Sequence, residues 1–183
     1  MKKTEIRITG YGGQGVIKSG YIIGKAAAIY DDLSATLNQS FGPEARGSAC
    51  SAQVIISDSK ILYPYLQVPQ IMIAMSQEGY NKYKDEVPKD GVILVDNDLV
   101  KLKEKNSKAR HYEIPATRFA EELGRKIVLN IVMLGFFTAI TKLIEVDSMR
   151  DAIKTSVPER TIELNLRAFE KGYEYGLEQL KNE

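Results

Sequence analysis

Near its amino terminus the chain reads Gly10-Tyr11-Gly12-Gly13-Gln14-Gly15, which satisfies the spacing Gly-x-Gly-x-x-Gly. Glycines so placed permit positive φ and close approach of a ligand, and a helix beginning just after them offers free N–H groups and a partial positive charge to a phosphate. The same residues also suit a turn that serves only tight helix–sheet packing or contact with a neighbouring chain. A dinucleotide fingerprint would add an acidic residue at the end of the second strand, to hold the ribose hydroxyls. Here those positions are Asn38-Gln39-Ser40, while Asp31 and Asp32 precede the strand and fall at the opposite edge of the sheet. This departure weakens the reading as a free-standing NAD(P)-dependent reductase.

A second chemically loaded stretch follows at Ser40-Phe41-Gly42-Pro43-Glu44-Ala45-Arg46-Gly47. Gly-Pro shapes a rigid turn, Arg46 offers a planar fork to a carboxylate or phosphate, and Glu44 is placed to orient it. The alternative is a surface ion pair of little energetic weight. Elsewhere the candidates thin out. Asp96 and Asp98 could hold magnesium at a strand end, but Asp-Asn-Asp is ordinarily a turn cap. The lone histidine, His111, sits between Arg110 and Tyr112 and reads as solvated, and Cys50, in an alternating strand, reads as a small buried hydrophobe. No serine or cysteine lies in a nucleophile-elbow pattern.

The elements that must carry these loops alternate between strand and helix. Residues 4–9 alternate polar residues with isoleucine and end at glycine, and Val16, Gly20, Ile23, Ala27 and Tyr30 then recur at helical spacing, with small residues that let the helix lie close on a sheet. Residues 33–37 and 49–56 read as the next strands, and residues 71–75 and 91–96 as short central ones, with a helix-prone segment at 77–86 between them. Residues 101–108 form a basic surface segment, and residues 111–114 an edge strand before Pro115. Thr117 is expected to cap the helix that follows. Residues 127–140 read as a helix apolar on nearly every side, with Gly124 and Gly135 permitting close approach. A final amphipathic helix after Pro158 is expected to bury Ile162, Leu166, Phe169, Tyr173, Leu177 and Leu180. This pattern predicts one domain over residues 1–183, a three-layer, Rossmann-like α/β fold with a mostly parallel sheet, whose carboxyl edge carries both loops.

Composition limits what such a domain can do. In 183 residues, 25 lysines and arginines nearly balance 24 aspartates and glutamates, so no overall field favours nucleic acid or an anionic membrane. A single cysteine excludes a disulfide framework and leaves too few thiolates for an iron–sulfur cluster. The amino-terminal residues lack the apolar run of a signal peptide, and the apolar stretch at 127–140 falls short of the ~20 residues that cross a bilayer, so a cytoplasmic location is expected.

The two loops in series resemble the gamma subunit of 2-oxoacid:ferredoxin oxidoreductases. The resemblance extends to Ile114-Pro115-Ala116-Thr117, to Glu122-Leu123-Gly124 and to Asn130 with Leu134-Gly135, and so spans most of the chain. It implies a subunit, inactive alone and without redox chemistry of its own, of an enzyme that decarboxylates a 2-oxoacid, makes an acyl-coenzyme A and passes electrons to ferredoxin. Thiamine diphosphate, coenzyme A and iron–sulfur clusters then belong to the whole complex of alpha, beta and in some cases delta partners, with none bound by this chain alone. Glu44-Ala45-Arg46-Gly47 is more similar to the 2-oxoglutarate branch than to the pyruvate branch, whereas Ser48 stands where a further glycine is commoner. Gly10, Gly12, Gly13, Gln14 and Gly15, with Gly42, Pro43, Glu44, Arg46 and Gly47, are the candidate cofactor-contacting residues. No residue is assigned a catalytic or metal-binding role. A pure scaffold, whose loops touch only neighbouring protein, is the other alternative.

Overall fold

The computed structural model describes residues 3–40, 49–102 and 109–182. Strand β1 (Thr4–Tyr11) alternates Ile6 and Ile8 with Glu5, Arg7 and Thr9, and all five side chains are buried. A strand covered on both faces must be central, and β1 lies inside a six-stranded sheet of order β2-β3-β1-β4-β5-β6. The other strands are β2 (Ser34–Ser40), β3 (Ala49–Ser57), β4 (Ile71–Ala74), β5 (Val92–Asp96) and β6 (Arg110–Ile114). The run β1-β4-β5-β6 is parallel, as the alternation of strands and helices predicts, whereas β3 runs antiparallel to both β1 and β2. Chain length explains the exception. Only residues 41–48 separate β2 from β3, fewer than the dozen or so a parallel crossover needs.

Each face of the sheet has its own apolar core. The larger joins Ile6, Ile8, Val54, Ile73 and Leu94 to residues of α1 (Val16–Lys25), α3 (Ala116–Glu122), α4 (Leu129–Thr141), α5 (Val146–Lys154) and α6 (Ile162–Lys181). The smaller joins Met72, Ala74, Ile93 and Val95 to Tyr80 of α2 (Gln77–Tyr83) and to Val87 and Val100. The layers are therefore three and unequal. Helix α1 ends in a π-helical turn, Ala26–Tyr30, tied to α5 where Lys25 Nζ donates to the Thr155 carbonyl (3.0 Å). Helix α5 has no counterpart in the reading from sequence.

Helix α4 is buried along nearly its whole length, as its composition implies. It meets α6 with almost no side chain between the two backbones. A Cβ on Gly135 would strike the Phe169 carbonyl oxygen, and one on Gly172 the Val132 carbonyl oxygen. This close approach shifts the buried face of α6 away from the expected large residues. Asn165, Ala168, Phe169, Gly172 and Gly176 are the residues it buries, while Ile162, Leu166, Tyr173, Leu177 and Leu180 flank the contact half-buried. A periodicity built from large apolar residues misses a face made of small ones.

Two local expectations are corrected. Gly124, expected to permit close packing, has nothing within 4 Å of a notional Cβ, and its φ of +85° shows that it serves to end α3 in a left-handed turn. Thr117 does not cap α3, whose N-cap is Pro115. Proline offers no side-chain acceptor, so the cap is supplied from β5, where Asp96 Oδ2 accepts from the Thr117 N–H (3.1 Å) and from its hydroxyl (2.6 Å).

Candidate functional site

The glycine loop leaves β1 at the carboxyl edge of the parallel strands and enters α1. It is stapled by its own glutamine. The Gln14 N–H donates to the Tyr11 carbonyl (3.1 Å), and Gln14 Oε1 accepts from the Tyr11 N–H (2.6 Å). The glycines divide the work. A Cβ on Gly10 would sit 2.6 Å from Gln14 Oε1 and 2.9 Å from Val16 Cγ2, so Gly10 is a packing glycine. Gly13, at φ +95° with nothing within 4 Å, is used for its conformation and left open to solvent with Tyr11 and Gly12.

Gly15 does both. Its φ is +75°, and a Cβ there would lie 2.5 Å from Asn130 Nδ2. Its carbonyl accepts from the Ser19 N–H (2.8 Å) and hydroxyl (3.0 Å), with Asn130 Nδ2 at 3.5 Å. As the N-cap of α1, Gly15 provides no side-chain acceptor, and the first turn carries no acidic residue. The leading amides of α1 therefore face the rim without a side-chain cap, and the exposed Lys18 adds positive charge beside them. The neighbouring α2 differs, because Ser76 Oγ accepts from the Gly79 N–H (3.1 Å) and closes that terminus.

Gly42, Pro43, Glu44, Arg46 and Gly47 lie outside the described residues. The ends of their segment are fixed by strand register. Ser40 pairs with Ser51, and Ala49 pairs with Tyr11, the last residue of β1. The segment thus leaves the sheet and returns to it at the rim that carries the glycine loop, the arrangement expected from sequence although β3 runs antiparallel. Asp31 is remote from this rim. It precedes β2 at the end where Ser34 pairs with Ser57, and its carboxylate accepts from the Glu145 N–H (3.1 Å).

Asp96 and Asp98 behave as caps. Asp96 is fully buried and accepts from the Asp98 N–H (3.1 Å) as well as from Thr117, and burial pushes its carboxyl pKa up against the pull of those hydrogen bonds. Asp98 accepts from the Arg118 N–H (3.1 Å) and guanidinium (2.7 Å). Among the described residues no group of three or more histidines, cysteines, aspartates or glutamates is placed to hold a metal ion.

His111 is not solvated, as had been expected; it is half-buried, with Nε2 3.0 Å from the Tyr80 hydroxyl and Nδ1 3.1 Å from the Ala109 carbonyl oxygen. Its partner lies 31 residues away in sequence, so nothing local signals the contact. Cys50 is buried as expected, and desolvation raises its thiol pKa, which removes it as a nucleophile. The residue that sequence reasoning left without a structural role is Asn130. Its signal was one amide at the start of an otherwise apolar helix.

No helix among the described residues is long and apolar enough to cross a membrane. Comparison with known proteins gives concordant results. A 2-oxoglutarate synthase subunit KorC from Methanocaldococcus jannaschii is 49% identical over 178 residues, covering 96% of this chain and 95% of that one. The keto/oxoacid ferredoxin oxidoreductase gamma subunit from Geobacter sulfurreducens superposes with a TM-score of 0.84 at 40% identity, over 96% of this chain and 99% of that one. A 2-oxoglutarate:ferredoxin oxidoreductase from Magnetococcus marinus shares the fold at a TM-score of 0.86 and 24% identity, matching 96% of this chain to 31% of a longer one. The family model for pyruvate ferredoxin/flavodoxin oxidoreductase matches residues 5–175, and with these relatives it makes the chain a member of that family.

Proposed function

We propose that the chain is the gamma subunit of a cytoplasmic 2-oxoglutarate:ferredoxin oxidoreductase, whose uncapped glycine rim closes one wall of a site completed by the alpha and beta partners and, where present, delta. The reaction decarboxylates the 2-oxoacid, transfers the acyl group to coenzyme A and delivers the electrons to ferredoxin. This chain contributes geometry. The first-turn amides of α1 and the residues of the second loop bind a phosphate of the acyl acceptor or of thiamine diphosphate, and the two loops together exclude water from the reactive intermediate. The Magnetococcus enzyme, which carries a domain of this fold, was solved with 2-oxoglutarate, coenzyme A and succinyl-CoA bound. The observation that carries the reading is the open, acid-free N-terminus of α1 beside the re-entry of the second loop at Ala49.

Fit differs among the cofactors of the complex. A chain with one buried cysteine cannot supply the thiolates of an iron–sulfur cluster, so electron storage falls to the partners. Coenzyme A, whose phosphates need only amides and cations, fits the rim. A free-standing nicotinamide reductase would need its ribose-holding acid at the end of β2, where Asn38-Gln39-Ser40 stands.

Co-purification from the native cell, followed by mass spectrometry and an assay of viologen reduction, tests the proposal. Expected are large partners with cysteine-rich motifs and a reduction that requires both 2-oxoglutarate and coenzyme A. Purification of the chain alone, with NADH quenching its tyrosine fluorescence, would overturn it. A pure scaffold is separated by Arg46→Ala, which would then reduce partner binding and leave turnover per assembled complex intact.

A further inference from the structure

Helix α4 opens with Leu129, Asn130, Ile131, Val132, Met133 and Leu134, all buried. In that apolar setting a buried amide is costly unless its hydrogen bonds are met. Asn130, 5% exposed, points at the hinge of the glycine loop. Its side chain occupies the space where a Cβ of Gly15 would lie, 2.7 Å from its Cγ and 2.5 Å from its Nδ2, and Nδ2 lies 3.5 Å from the Gly15 carbonyl oxygen. Gly15 is the left-handed residue through which β1 and its loop turn into α1. The contact spans 115 residues of sequence, so it ties the loop to the most buried helix of the molecule.

We propose that Asn130 is a positioning residue: by filling the side-chain space of Gly15 and holding its carbonyl, it fixes the left-handed hinge and so aims the first amides of α1 at a phosphate ester. An aliphatic residue of similar size would fill the same space and would leave the Gly15 carbonyl with Ser19 alone. The inference rests on the reading of the rim as a phosphate-contacting wall.

The test uses the assembled oxidoreductase carrying Asn130→Ala, Asn130→Asp or Gly13→Ala, with half-saturation measured separately for coenzyme A and for thiamine diphosphate. Asn130→Ala removes the support, and loss of one well-aimed hydrogen bond to an anion predicts a rise in one of the two half-saturation values of about tenfold, with a smaller change in kcat. Asn130→Asp keeps the volume but sets a negative charge beside the anion, so it is expected to raise the same value further. Its thermal midpoint should fall below that of Asn130→Ala, because the carboxylate is buried against the Gly15 carbonyl oxygen with no donor to pair it. Which of the two values rises identifies the source of the phosphate.

A residue that only packs predicts no rise for Asn130→Ala in the assembled complex, and a rise confined to Asn130→Asp, where the added charge alone accounts for it, overturns the proposal. If Gly13→Ala raises a half-saturation value and neither Asn130 variant does, the inference falls and the rim reading stands. If all three leave both values unchanged, both fall together.

Discussion

The glycines of the rim and those of the α4–α6 contact are the same residue used for opposite ends. At the rim, Gly13 holds φ +95° with nothing within 4 Å, so the backbone is bent and left accessible. Between the helices, Gly135 and Gly172 have no unusual φ, yet the place of each missing Cβ is taken by a carbonyl oxygen of the other helix. One region spends glycine on conformation and access. The other spends it on proximity and thereby becomes the rigid body against which Asn130 and the loop are held. The stability of the molecule rests on the second region, and the proposed phosphate contact rests on the first.

Substituting the two kinds of glycine should separate these roles. Gly172→Ala forces backbone apart from backbone, which a flexible side chain cannot relieve, so we expect a loss of about 3 kcal/mol or more, read as a lowered urea midpoint. A loss below about 1 kcal/mol would mean that the helices slide apart freely, and the contrast would break. Gly13→Ala meets no neighbour and pays only for the left-handed conformation, about 1–2 kcal/mol. Its larger consequence belongs to the assembled enzyme, in half-saturation rather than in folding.

Asp96 sharpens the comparison, because it shows that the rim is not open along its whole length. Asp96→Asn leaves one acceptor oxygen for donors that now share two, and we expect it to cost about 2 kcal/mol at neutral pH. The folded-state pKa of Asp96 is raised, with desolvation the main cause, so on acidification the folded protein takes up this proton before the unfolded chain does. The wild type should therefore gain stability relative to Asp96→Asn as pH falls from that raised value toward about 3.9, the ordinary carboxyl value. Urea midpoints of the pair at several pH values check the sign. A gap that narrows on acidification would assign the dominant role to the hydrogen bonds from Thr117 and Asp98.

Much of this was legible in the sequence because it is local. The alternation in β1, the glycine spacing and the absence of an acid in Asn38-Gln39-Ser40 at the end of β2 lie within short windows, and each indicates an element or weighs against a ligand. The continuous apolar run of α4 likewise announces burial. What escaped was made by contacts between distant segments. The antiparallel β3 follows from a connection too short for a crossover, a matter of length that an alternating pattern hides. The small-residue face of α6 carries no large apolar periodicity, and the partners of His111, Asn130 and Thr117 are 31, 115 and 21 residues away. For Arg46 and its neighbours, strand register at Ser40 and Ala49 supplies the placement of the segment ends, and the family resemblance supplies the chemistry.

The central claim is that neighbouring subunits complete the rim, and amide hydrogen exchange of the chain, alone and within the assembled oxidoreductase, tests it most directly. Peptides covering residues 10–19 should exchange rapidly in the isolated subunit and become protected on assembly, more so with coenzyme A present, while those of α4 and α6 stay slow in both states. If assembly instead protects only the opposite edge, around residues 58–70, and leaves residues 10–19 exchanging as before, the rim faces solvent in the working enzyme and the account is wrong.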